Sequence, residues 1–154
     1  MAGADFTRAS VPVRDLAQLL ASMRPIANEG VYVYVSLPPD SDSAALAPLA
    51  TFREREGLTV ILGEADACAA NLQILFRAAW ITLSVHSDLQ AVGLTAAVAD
   101  ALTRANISCN IVAAAYHDHL FVPLESAQAA LDVLLALQRE ALALLESGGA
   151  PVRR

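Results

Sequence analysis

An α+β fold of two tandem βαββαβ units, with antiparallel sheets, helices on one face and one unit incomplete, is predicted from three observations of the sequence. Segments with helical and strand periodicity follow one another in the order helix, strand, strand, helix in each half of the chain. Hydrophobic residues make up 56% of the 154 and charged ones 17%, enough apolar surface for a real core without cross-links or a structural metal. Six strand-like segments are evident, fewer than two complete units require, so one half lacks a strand or borrows one.

Taken in order, residues 1–13 show no period and contain Gly3 and Pro12, an unstructured lead-in. Leu16, Leu19, Leu20 and Met23 fall at helical spacing across 15–23, and Pro25 ends the helix. The β-branched and aromatic run 31–37, between Gly30 and Pro38-Pro39, reads as a central strand. A loop covers 40–48, and the segments 51–55 and 58–62 flank Glu56-Gly57 as a hairpin whose Arg53, Glu54, Arg55 and Glu56 form a solvated edge. Leu72, Leu75, Phe76 and Ala79 are at helical spacing, which predicts a second helix over 64–78.

Strict alternation over 80–86 sets Ile81, Leu83 and Val85 against Thr82, Ser84 and His86, so this strand buries one face and keeps the other polar. The segment 94–104 carries Leu94, Val98 and Leu102 on one stripe and reads as a helix. Strands at 107–114 and 119–123 enclose a turn at Tyr116-His117-Asp118, and 125–146 is a long amphipathic helix before a flexible tail, 147–154. The units expected are an incomplete N-terminal half, 14–78, and a C-terminal half, 79–146.

Composition excludes several functions. The formal charge is -6, and the ten basic side chains, all Arg, are scattered rather than gathered in a stripe, which argues against nucleic-acid binding. The absence of Lys removes the Schiff-base lysine of pyridoxal chemistry and the lysine of a P-loop. Cys68 and Cys109 stand in apolar surroundings and read as buried small hydrophobes rather than a disulfide. No segment approaches the length of a membrane span, so a cytoplasmic location without a membrane or cofactor is the expectation.

Ile81-Thr82-Leu83-Ser84-Val85-His86-Ser87-Asp88, continuing through Gly93-Leu94 to Tyr116-His117-Asp118-His119-Leu120-Phe121-Val122-Pro123, resembles a bacterial ACT-domain family. The phrase Thr51-Phe52-Arg53-Glu54-Arg55-Glu56-Gly57-Leu58-Thr59 is similar to that family's first-half signature, and together the two cover about 16–137. The resemblance implies tandem ferredoxin-like, ACT-like units related to the amino-acid-sensing regulatory domains of aspartate kinase and phosphoglycerate dehydrogenase and to the animal arginine sensor. It implies a ligand held at a domain or subunit interface, against the loop after a first strand and the start of the next helix. The matching positions are His86, Ser87, Asp88, Leu89, Ala91, Val92, Gly93 and Leu94. A stand-alone protein without an attached catalytic domain is the expectation.

The residues point to the same place. In this topology the end of the 80–86 strand, the start of the 94–104 helix and the hairpin at His117, Asp118 and His119 share one sheet edge. The helix start offers free N–H groups for the carboxylate of an amino acid, and Asp88 or Asp118 can receive its ammonium group. Ordinary turn chemistry accounts for the same residues one by one. Three further readings stand beside a non-catalytic sensor: a divalent metal on His86, His117 and His119; a general base at His86 or His117; and a protein-interaction module. A homodimer is expected under each.

Overall fold

The computed structural model describes residues 15–85 and 92–148. Seven strands form one antiparallel sheet: β1 (Pro25–Ala27), β2 (Tyr32–Leu37), β3 (Ala50–Arg53), β4 (Leu58–Gly63), β5 (Phe76–Leu83), β6 (Asn110–Ala113) and β7 (Asp118–Pro123), in the spatial order β3-β4-β2-β5-β7-β6, with β1 also on β5. The helices are α1 (Leu16–Ser22), α2 (Glu64–Ala69), α3 (Leu94–Arg104) and α4 (Ala127–Gly148).

The strand shortage is resolved by β5, which belongs to both units. Its first half pairs with β2, Tyr34 opposite Phe76 and Tyr32 opposite Ala78, and so closes the unit made with β4 and β3. Its second half opens the other unit, with β7 along one side and β1 on the other, Pro25 opposite Leu83 and Ala27 opposite Ile81. The C-terminal unit therefore takes its last strand from the N-terminal end of the described chain. The expected boundary at 78–79 falls inside β5.

Two local expectations are corrected. Pro25 does end α1, but Pro25–Ala27 then forms a strand. The second helix stops at Ala69 rather than running to 78. Asn71 turns to a left-handed φ of 52°, and Phe76 begins β5 instead. The helical spacing of Leu72, Leu75, Phe76 and Ala79 was coincidental: Tyr34 and Phe76 rings meet edge to face at 5.6 Å across the sheet. The incomplete unit lacks a helix between its first two strands, where a single 3-10 turn, Ala44–Leu46, packs Leu46 onto the core instead.

Strand alternation divides the sheet. One face carries Ala79, Ile81, Leu83, Leu120 and Val122 under α1, α3 and α4, which contribute Leu19, Met23, Leu94, Val98, Leu102, Ala130 and Leu134. On the same face α2 covers Val33, Val35, Leu58, Val60 and Leu62 through Ala67, and Arg77 there holds Glu64 with two hydrogen bonds, of 2.5 and 3.0 Å. The other face has no helix among the described residues. Curling of the sheet itself buries Ile61, Ala78 and Phe121, with Tyr34, Ala50, Phe76, Trp80 and Val112 around them.

The hairpin at Glu56-Gly57 closes through Glu54 N–H donating to the Gly57 carbonyl at 2.9 Å. A Cβ on Gly57 would stand 2.6 Å from the Leu37 carbonyl oxygen, so β2 and this turn approach too closely for any other residue. Cys68 is exposed on α2, against the expectation of burial, and Cys109 is half-buried; both are free. Among the described residues, no helix is long and apolar enough to cross a membrane. The lead-in 1–13 and the tail beyond 148 lie outside the described residues, whereas Ser147 still belongs to α4.

Candidate functional site

The hairpin between β6 and β7 closes by Ala114 N–H donating to the His117 carbonyl at 3.0 Å. From there the His117 side chain reaches across to the chain just past the end of β5, its Nδ1 lying 3.2 Å from the Val85 carbonyl oxygen. This contact joins the hairpin to the point where the chain leaves β5 for α3. Asp118 follows at the first position of β7, opposite Leu83 and Ala113 and thus on the helix-covered face. It is 5% exposed, and burial pushes its carboxyl up from the ordinary carboxylate range, while His119 and His117 act in the opposite sense.

At the other side of the gap, Gly93 caps α3 with a φ of 106° and no side-chain cap. The backbone conformation favours glycine there, and a Cβ would stand 2.9 Å from Leu16 Cδ2, a side-chain tip that could move aside. Val92 is exposed, and Leu94 is a member of the main core rather than a surface group. His86, Ser87, Asp88, Leu89 and Ala91 lie outside the described residues.

His119 points to the other face. Trp80 Nε1–H donates to its Nδ1 at 3.1 Å, and the Thr82 hydroxyl lies 3.1 Å from the same atom. Asn28 Nδ2 donates to Thr82 Oγ1 at 2.9 Å, so the network crosses from the segment after β1 through β5 to β7. An indole N–H can only donate, so Nδ1 accepts and the ring proton resides on Nε2. Burial lowers the His119 pKa further, reinforced by the charge of His117, with Asp118 opposing. The ring is therefore neutral at pH 7.

His119 lines a concavity of about 160 Å³. Trp80 and Phe121 contribute aromatic side chains to its lining, Leu49 and Ala50 come from the β3 edge, and Val112 and Ala114 from the β6 edge. Sequence reading missed this feature. Alternation over 80–86 marks Trp80 and Thr82 as one face, but only the curl of the sheet brings its two opposite edges to one hollow.

For the metal reading, no group of three His, Cys, Asp or Glu side chains suited to a metal occurs among the described residues. His117 and His119 have their Nδ1 atoms turned to different partners, and His86 lies outside the described residues.

Fold and site together define a tandem of split-βαβ modules of the regulatory, small-molecule-binding kind. The ACT-domain family matches residues 11–79 and again 76–136, the overlap falling on the first residues of β5. The chain belongs to the ACT-domain proteins. It is 46% identical to a protein of unknown function from Vibrio cholerae, described as a possible transport protein, over 80% of this chain and 95% of that one, with a TM-score of 0.73. A protein from Agobacterium tumefaciens matches at 16% identity over 75% of this chain and 89% of its own, with a TM-score of 0.63. The ligand-free regulatory subunit of aspartate kinase from Thermus thermophilus matches at 11% identity over 75% of this chain and 96% of its own, with a TM-score of 0.58, a likeness of fold. No curated protein matches the sequence.

Proposed function

We propose that this protein is an amino-acid sensor, acting in the cytoplasm as a homodimer and without catalytic activity of its own. The observation that carries the reading is the His117 contact with the Val85 carbonyl, which sets the β6–β7 hairpin against the chain that enters α3. The amino-acid carboxylate is taken by the first-turn N–H groups of α3, where Gly93 supplies no side-chain cap and the helix dipole favours an anion. Asp118 or Asp88 receives the ammonium group, and His86, Ser87, Leu89, Ala91, Val92 and His117 frame the ligand. Leu94 and His119 support the site from the core and from the opposite face. A ligand cation beside Asp118 would return charge to a carboxyl that burial disfavours as an anion.

The test is a thermal-shift screen of the twenty amino acids, with divalent metals alongside. Saturable stabilisation by one amino acid, about 2.7 kcal/mol at a hundredfold excess over Kd, that is lost in Asp88→Ala or in Asp118→Asn supports this site. Gly93→Val is unsuitable for this purpose, because a φ of 106° strains any side chain and the variant would lose stability as well as binding. Stabilisation by zinc alone would replace the amino acid with a metal on the histidines. An amino-acid response unchanged in both Asp variants places the ligand elsewhere.

A further inference from the structure

We propose that the helix-free face carries a second ligand site, the concavity around His119, which takes a single uncharged aromatic ring bearing one hydrogen-bond acceptor. Strand alternation puts it on the face opposite Asp118, so it is separate from the site at the start of α3.

Three properties define the ligand. The hollow measures about 160 Å³, close to the roughly 150 Å³ of an engineered cavity that holds one benzene. Its lining includes the aromatic side chains of Trp80 and Phe121, at directly opposite positions in the β5–β7 register, which suits edge or offset packing with a further ring. Among the described residues no Asp, Glu or Arg lines it, so a charged ligand would be desolvated there without a partner.

One polar group breaks the apolar lining. With Nδ1 of His119 occupied by Trp80 and Thr82, the proton on Nε2 is the ring's remaining donor. The three-residue network fixes the tautomer and the ring plane, so the donor is already oriented before a ligand arrives. A hydroxyl, ether or carbonyl oxygen on the bound ring accepts from it.

Trp80 is the chain's single tryptophan and lines the hollow, so its fluorescence reports occupancy directly. The purified protein is titrated with benzyl alcohol and with toluene, which lacks the acceptor. The expected result is a saturable change with both. In His119→Phe the Kd for benzyl alcohol relative to that for toluene rises about five-fold, the loss of one neutral hydrogen bond. Val112→Phe, or Ala114→Leu if that variant does not fold, fills the hollow and removes both responses while the amino-acid response at α3 persists. A linear, unsaturable change, a ratio unmoved in His119→Phe, or binding undiminished in the filled variant overturns the proposal. So does a response that disappears as protein concentration rises while sedimentation shows a dimer, since a second copy then covers this face.

Discussion

Trp80 Nε1–H donates to His119 Nδ1 at 3.1 Å, tying β5 to β7 by a bond that exists only while Nδ1 is unprotonated. Burial, the largest cause, and the charge of His117 lower the His119 pKa from 6.5. Below that value the unfolded chain takes up a proton that the folded chain resists. Its contribution is therefore complete above about pH 6.5 and lost as pH falls toward the folded pKa. The urea midpoint should fall between pH 8 and pH 5, and His119→Phe should flatten that part of the profile; an unchanged slope in the variant disproves the assignment.

Asp118 has the opposite sign. Its carboxyl is raised from 3.8 by burial, so the folded state holds a proton that the unfolded state has already released. Stability from this group is complete below about pH 3.8 and lost as pH rises through the folded pKa. Asp118→Asn should therefore stabilise the protein at pH 8, with the advantage closing near pH 4. Where Asp118 is the residue that takes the ammonium group, the same substitution should remove the amino-acid response, a separation of stability from function that chemical denaturation and thermal shift read independently.

Gly93→Ala should cost about 1–3 kcal/mol, because a φ of 106° strains any side chain and the new Cβ meets Leu16 Cδ2 at 2.9 Å. Adding Leu16→Ala removes the contact but not the backbone strain, so the double variant should remain less stable than Leu16→Ala alone. Equal urea midpoints for these two would show that the positive φ is not required.

Because β5 serves both units, the protein should unfold as one. Leu62→Ala beneath α2 and Leu134→Ala on α4 lie in separate core clusters, and each should cost about 2–5 kcal/mol. Both should shift the Trp80 fluorescence and far-ultraviolet circular dichroism transitions together. A biphasic transition in the Leu62→Ala protein would mean that the two units hold separately.

Part of the frame around the candidate site was legible in the sequence. Gly93 before a Leu94, Val98, Leu102 stripe located the start of α3, and the His117 hairpin was expected at the same sheet end, where its Nδ1 now meets the Val85 carbonyl. The division of labour among the histidines was not legible. His117 and His119 are two apart, yet one leaves a turn toward the chain just past β5 and the other sits in β7 and accepts from an indole N–H. Spacing alone cannot separate these fates, because His117 precedes the strand and escapes its period of two.

By itself the sequence determined the α+β class, the faces of individual elements and the turns: Ile81, Leu83 and Val85 are buried, and Gly57 closes its hairpin. These follow from local amphipathic periods and from steric demands within a few residues. Only the tertiary structure decided that Pro25–Ala27 is a strand, that Phe76 starts β5 rather than ending a helix, that one strand completes both units, and that Leu49 and Val112 face a common hollow. Those choices depend on partners dozens of residues away and on the accumulated twist of the sheet, and a short window of sequence carries neither.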